Sequence, residues 1–203
     1  LQNQFTRKQM KKLRHLMPNL CRLILVDSHF DLAQTPQLTT LVISQPREAN
    51  DEPQAATYNL EAVPLLTSLV FLSASLTLES TQALVSSFAS VSHLDCLILH
   101  DTLLGGPEAM NVLIKNLKHV PSLQTLHLCS VGMTADEFHA LAETLPFTPL
   151  LSEIHLEKGQ ICPKEALDLA NALKNVSGLT HLRISLIQMG PKSLRRLAEN
   201  LRY

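Results

Sequence analysis

Leu123-Gln124-Thr125-Leu126-His127-Leu128 returns one unit later as Leu151-Ser152-Glu153-Ile154-His155-Leu156, and stands one unit earlier as Leu94-Asp95-Cys96-Leu97-Ile98-Leu99. The shared form is L-x-x-L-x-L with Ile or Phe allowed. It also occurs at Leu20-Leu23-Leu25, Leu38-Leu41-Ile43, Leu66-Leu69-Phe71 and Leu179-Leu182-Ile184. Successive first leucines are 18, 28, 28, 29, 28 and 28 residues apart. Self-similarity at one period is the signature of a repeat architecture, so this spacing decides the fold class before any other feature is weighed.

The second half of each unit carries the other periodicity, apolar residues at helical spacing. The sets are Leu84, Val85, Phe88, Val91; Leu113, Ile114, Leu117, Val120; Leu141, Ala142, Leu145; Leu169, Ala170, Leu173, Val176; and Leu197, Ala198, Leu201. In the 29-residue unit the set sits one place later, so the extra residue precedes the helix, where Gly105-Gly106 can absorb it. Pro107, Pro163 and Pro191 stand where a helix would begin, a position with no use for the N–H that proline lacks. Thr134 and Glu137 have capping-box spacing at the matching place in the remaining unit.

One such unit would expose a strand edge and an apolar helix face, so it must stack on its neighbours. The fold predicted is α/β: a right-handed solenoid, horseshoe-shaped, with a parallel sheet on the concave face and helices on the convex face. Helices are wider than the roughly 4.8 Å strand spacing, which bends the stack that way. Residues 1–203 read as one domain, with 1–19 an N-terminal helix or cap and 20–203 about seven repeats. Met10, Leu13 and Met17 give Thr6 to Leu16 its apolar face. The unit between Leu20 and Leu38 is too short for a helix and closes with a turn. Gln45 to Thr57, with Pro46 and Pro53, reads as a loop before a short helix near Tyr58 to Ala62. A missing initiator Met and a final helix pattern suggest a piece of a longer protein.

Composition narrows the function classes. Hydrophobic residues at 45% against 17% charged place the 203-residue chain among globular proteins. A net charge of -1 and a pI near 6.8 provide no electrostatic footprint for phosphate backbones, so nucleic acid is not an expected partner. No apolar stretch is long enough to span a membrane. Cys21, Cys96, Cys129 and Cys162 lie far apart, without zinc or disulfide-cap spacing, which points to a reducing cytoplasm. The sequon Asn175-Val176-Ser177 is the one sign of a secreted alternative.

Units of 28 and 29 residues with a full helix resemble the ribonuclease-inhibitor class of leucine-rich repeat, from Leu20 onward. That class usually has Asn or Cys three residues beyond the last strand leucine; here the places hold Ala74, Thr102, Val131, Gly159 and Ile187. Degenerate arrays of this kind are similar to the C-terminal repeats of NOD-like receptors, cytosolic sensors of innate immunity. The resemblance implies a non-catalytic, protein-binding array that senses a ligand or holds an adjacent domain of the same protein autoinhibited. A regulator of another enzyme, of the ribonuclease-inhibitor or GTPase-activating type, is the alternative.

Side chains alternate along a strand, so with positions 1, 4 and 6 of the repeat in the core, positions 3, 5 and 7 face the concave side. Position 5 reads Ile24, Val42, Val70, Ile98, His127, His155, Arg183; position 7 reads Val26, Ser44, Leu72, His100, Cys129, Glu157, Ser185; position 3 adds Glu153 and His181. The face is apolar over four strands and polar over three. Ile24, Val42, Val70, Leu72, Ile98, His100, His127, His155, Glu157 and Arg183 are the expected partner-binding residues, since contiguous exposed apolar surface marks interfaces. A metal or Cys-His site from His127, Cys129, His155 and Glu157 is the rival chemical reading. An open sheet encloses no ion, and neither a cofactor nor a catalytic residue is expected. No phosphate loop, nucleophile elbow or H-E-x-x-H occurs. The basic run Arg7, Lys8, Lys11, Lys12, Arg14 reads as a solvated helix face.

Overall fold

Each L-x-x-L-x-L segment becomes a strand, and the strands pair parallel in sequence order. In the computed structural model, residues 20–26, 32–45 and 58–200 are described. The seven strands of the main sheet are β1 (Arg22–Val26), β2 (Thr40–Ser44), β3 (Ser68–Leu72), β4 (Cys96–His100), β5 (Thr125–Met133), β6 (Glu153–Ile161) and β7 (His181–Met189). The register is the sequence register: Leu41 pairs with Leu69, Leu69 with Leu97, Leu97 with Leu126, Leu126 with Ile154. Five helices follow the later strands: α1 (Leu78–Ser86), α2 (Pro107–Asn116), α3 (Ala135–Thr144), α4 (Pro163–Leu173) and α5 (Pro191–Asn200), each beside the next. The described part is thus an α/β solenoid of strand, turn and helix.

Two backbone features recur with the repeat. The carbonyl of position 2 accepts two N–H groups from the next unit: Thr39 O from Thr67 and Ser68, Thr67 O from Asp95 and Cys96, Asp95 O from Gln124 and Thr125. Position 8 is left-handed in four consecutive units, at Ser73, Asp101, Ser130 and Lys158, with φ between 51° and 59°. None is glycine, so each holds a conformation that costs an L-residue roughly 1–2 kcal/mol. The N–H groups of Ser73 and Asp101 donate to the carbonyls of His100 and Cys129 in the next strand. Beyond this bend pairing resumes, as a separate ladder of Ser75–Leu76 with Leu103–Leu104, and as the far ends of β6 and β7.

The helix ends follow the residues assigned to them. Pro107, Pro163 and Pro191 are the first residues of α2, α4 and α5. At α3 the Thr134 N–H donates to Glu137 Oε2 at 2.5 Å, one arm of the capping box. Gly106 absorbs the extra residue of the long unit, capping α2 with φ 97°, a backbone shape open to glycine. At the class-defining position, Ala74 and Thr102 are buried, the Thr102 hydroxyl donating to the carbonyls of His100 and Phe71. Gly159 is there for room: a Cβ would lie 2.8 Å from the Met133 carbonyl and 2.9 Å from the Phe138 ring.

The core runs the length of the stack as one cluster of leucines with Phe71, Phe88 and Phe138. Burying each such side chain contributes about 1.5–3 kcal/mol. The short helix expected near Tyr58 to Ala62 is there as one 3-10 turn, Leu60–Ala62, ending where Pro64 biases Val63 away from helical angles. Two expectations are corrected. Ala198, assigned to the buried face of α5, is exposed, because α5 packs on α4 alone among the described helices. Helices α2 and α3 pass directly, and α1 after Ser87, into 3-10 turns at Leu117–His119, Leu145–Phe147 and Phe88–Val91, so the last members of their apolar sets lie outside the α-helix proper. The unit after Leu20 has a 3-10 turn at Leu32–Gln34 where a turn was expected. The N-terminal helix, its basic run and residues 46–57 of the loop lie outside the described residues.

Candidate functional site

Because the helices and the core lie against positions 4 and 6, positions 3, 5 and 7 make up the sheet's open face. At its first strands the middle of that face, position 5 with Val26 and Leu72 at position 7, is aliphatic, while position 3 holds Arg22, Thr40, Ser68 and Cys96. Ile24 is 54% exposed and Val26 55%, Leu72 is exposed, and Val70 and Ile98 are half-buried. The ladder Ile24, Val42, Val70, Ile98 runs straight across four paired strands. Val42 departs from expectation: at 7% exposed it is buried, with a β-branched or aliphatic neighbour on both flanking strands, whereas Ile24 on the outer strand has one. It packs between Ile24 and Val70 and leaves little of its side chain to solvent. Beside this strip Gln45 joins two units, its amide donating to the Tyr58 hydroxyl at 3.4 Å and accepting from the Ser75 N–H at 3.2 Å. Tyr58 lies edge-on to Phe71, and burial pushes its hydroxyl pKa up to about 12.

The polar half is knitted by hydrogen bonds between strands. His127 Nε2 donates to Glu153 Oε1 at 3.0 Å, a pair the sequence placed one strand apart at positions 5 and 3. The His127 and His155 rings meet edge to face, 5.4 Å between centroids. Cys129 Sγ lies 3.3 Å from His155 Nδ1. Burial raises the Cys129 thiol, Glu157 pushing the same way and Arg183 opposing. Burial also lowers His155, reinforced by the charges of Arg183 and His127. Both directions favour a neutral thiol donating to a neutral imidazole, the opposite of the thiolate-imidazolium pair a cysteine nucleophile uses. Cys129 is 2% exposed, more enclosed than a position on an open sheet suggests.

His100 is exposed and lies 3.1 Å from Asp101. Arg183 is exposed, and Glu157 half-buried next to Ser185 in register. The open face thus brings nine of the ten expected residues to a solvent-accessible surface and withholds Val42. Alternation already put Val26 on the open face at position 7 and Glu153 at position 3; that Glu153 holds His127 is seen only in the structure.

No helix among the described residues is long and apolar enough to cross a membrane. No protein-family profile and no curated protein sequence matches the chain. Among solved structures, the chain is similar to the crystal structure of an internalin from Listeria monocytogenes, with a TM-score of 0.49 and 14% sequence identity over 87% of this chain. The match takes in 52% of that protein, so this chain spans about half the length of the internalin structure it resembles.

Proposed function

We propose that this chain is a non-catalytic leucine-rich repeat array, one right-handed horseshoe over residues 1–203. It binds a protein partner, or a neighbouring domain of its own protein, through the concave face of its sheet. The observation that carries this reading is the set of solvent-accessible aliphatic residues Ile24, Val26, Val70, Leu72 and Ile98, on β1, β3 and β4, joined across β2 by the buried Val42. Strand propensity favours single β-branched residues on a sheet, but several exposed together form apolar surface of the kind where proteins meet. The neutral Cys129-His155 pair supports a non-catalytic role for the polar half. The cytoplasm is the proposed location, supported by four free thiols, two of them exposed. Within that frame, the resemblance to NOD-like receptors makes ligand sensing or autoinhibition in innate immunity the role we favour.

The test is binding to the partner or neighbouring domain, measured for Val70→Asp and Ile98→Asp beside thermal stability. Each loses one aliphatic contact and places a carboxylate in the interface, so affinity should fall about ten- to a hundredfold while folding persists. Unchanged affinity with intact folding removes the strip as the binding surface.

A further inference from the structure

Cys129, His155 and Glu157 sit together at the polar end of the open face. His155 and Glu157 are two residues apart on β6 and so point the same way, and Cys129 pairs with Glu157 across the strand boundary. One ligand atom from each lies within 4.8 Å of the others. We propose that these three side chains form a binding site for a zinc-class divalent ion, with the fourth coordination position open to solvent or to a partner's side chain.

The donor set is the one such an ion selects. Thiolate, imidazole and carboxylate together favour a borderline metal over calcium or magnesium, which take oxygen alone. Zinc at about 2.3 Å from sulfur and about 2.0–2.1 Å from nitrogen or oxygen puts tetrahedral ligand atoms roughly 3.3–3.6 Å apart. Cys129 Sγ and His155 Nδ1 are already 3.3 Å apart. Closing the third ligand takes at most roughly 1.5 Å, within reach of rotation of the Glu157 side chain on its half-exposed position. The two backbone positions are fixed by the ladder, so binding orders little main chain. His127 lies outside the set, its Nε2 donating to Glu153 Oε1.

A second observation marks the same place. His155 Nε2 and Ser185 Oγ are buried and have no hydrogen-bond partner among the described residues, and Ser185 pairs with Glu157 in register. Buried polar atoms in a settled structure are satisfied, and an ion carrying its own water would bring donors and acceptors to this spot. On binding, the Cys129 S–H bond breaks, its proton goes to buffer, and the sulfur lone pair goes to the metal. Arg183, beside His155 in register, opposes the cation and holds the affinity below that of a closed four-ligand site.

The experiment is titration of the chelator-treated full chain with cobalt(II), read by its thiolate charge-transfer and d–d absorption, followed by displacement with zinc. One equivalent should bind with a tetrahedral spectrum. Cys129→Ser should abolish the charge-transfer band, His155→Ala should abolish the tetrahedral signature, and Glu157→Gln should weaken binding by at least about tenfold. Cys96→Ser and Cys162→Ser should leave the spectrum unchanged. Zinc should raise the thermal midpoint of the wild type and not of Cys129→Ser, whose own fold is checked by circular dichroism. No thiolate band in the wild type, or a band that survives Cys129→Ser or disappears in Cys162→Ser, overturns the proposal.

Discussion

Strands β1 to β4 and strands β5 to β7 are built on the same backbone and show opposite faces. Both regions have the same register, the same doubly accepting carbonyl at position 2 and aliphatic residues at positions 4 and 6. They differ most at position 5, where the first region has Ile24, Val42, Val70 and Ile98 and the second has His127, His155 and Arg183. The fold is therefore indifferent to the chemistry of its open face. The two ends can be altered separately.

Four outcomes break or sharpen that separation. Leu126→Ala should cost about 2–5 kcal/mol, because its side chain is buried in the stack. Its neighbour His127→Ala loses one half-exposed pair with Glu153 and should cost about 1 kcal/mol or less. Denaturant unfolding of the two measures the contrast between core and face, and equal losses would break it. Within the apolar region, Val42→Asp should cost about 3 kcal/mol or more by burying a carboxylate, while Ile24→Asp should stay within about 0.5 kcal/mol. Similar melting curves for both would mean Val42 belongs to the accessible strip after all.

Alkaline unfolding separates the regions by titration. An unfolded tyrosine loses its proton near pH 10, whereas Tyr58 holds its own to about 12. Between those values the native state binds more protons than the unfolded one, so stability falls as pH rises. The loss is on the order of 2–3 kcal/mol by pH 12, and Tyr58→Phe should remove that share of it. Chemical denaturation at pH 8 and pH 11.5 for the two proteins checks the slope. Smallest is Gly159→Ala, which forces Met133 or Phe138 to move and should cost about 1–3 kcal/mol without changing metal or partner binding. A neutral result in thermal unfolding would show that the close approach relaxes freely.

The strands and their partners were legible in the sequence because a 28-residue period fixes register as well as existence: Leu97 opposite Leu126 follows from counting. Helix starts were legible at Pro107, Pro163, Pro191 and Thr134 because proline and the capping box act locally. Burial on the open face was not. Alternation tells which way Val42 and Cys129 point, but their enclosure depends on neighbours from other units, and both are buried where Ile24 is not. The left-handed bend was hidden for a different reason. Ser73, Asp101, Ser130 and Lys158 share a backbone angle but no side-chain chemistry, and none is the glycine that would have signalled it. The ladder of Ser75–Leu76 with Leu103–Leu104 is too short to have a period.

That repeated bend also limits how large a footprint the array can offer. After β3 to β6 it turns the chain immediately beyond position 7, so there the flat strip open to a partner is bounded by positions 3 and 7. Even taken over all seven strands, four residue steps of about 3.3 Å and six strand spacings of about 4.8 Å make a rectangle of roughly 13 by 29 Å, on the order of 400 Å². A stable complex of standard size covers about 800 Å² on each partner. A partner that binds tightly must therefore overhang the strip, reaching past the bend onto the turns that lead to the helices, where Leu103 stands exposed. A partner confined to the sheet alone would come and go quickly.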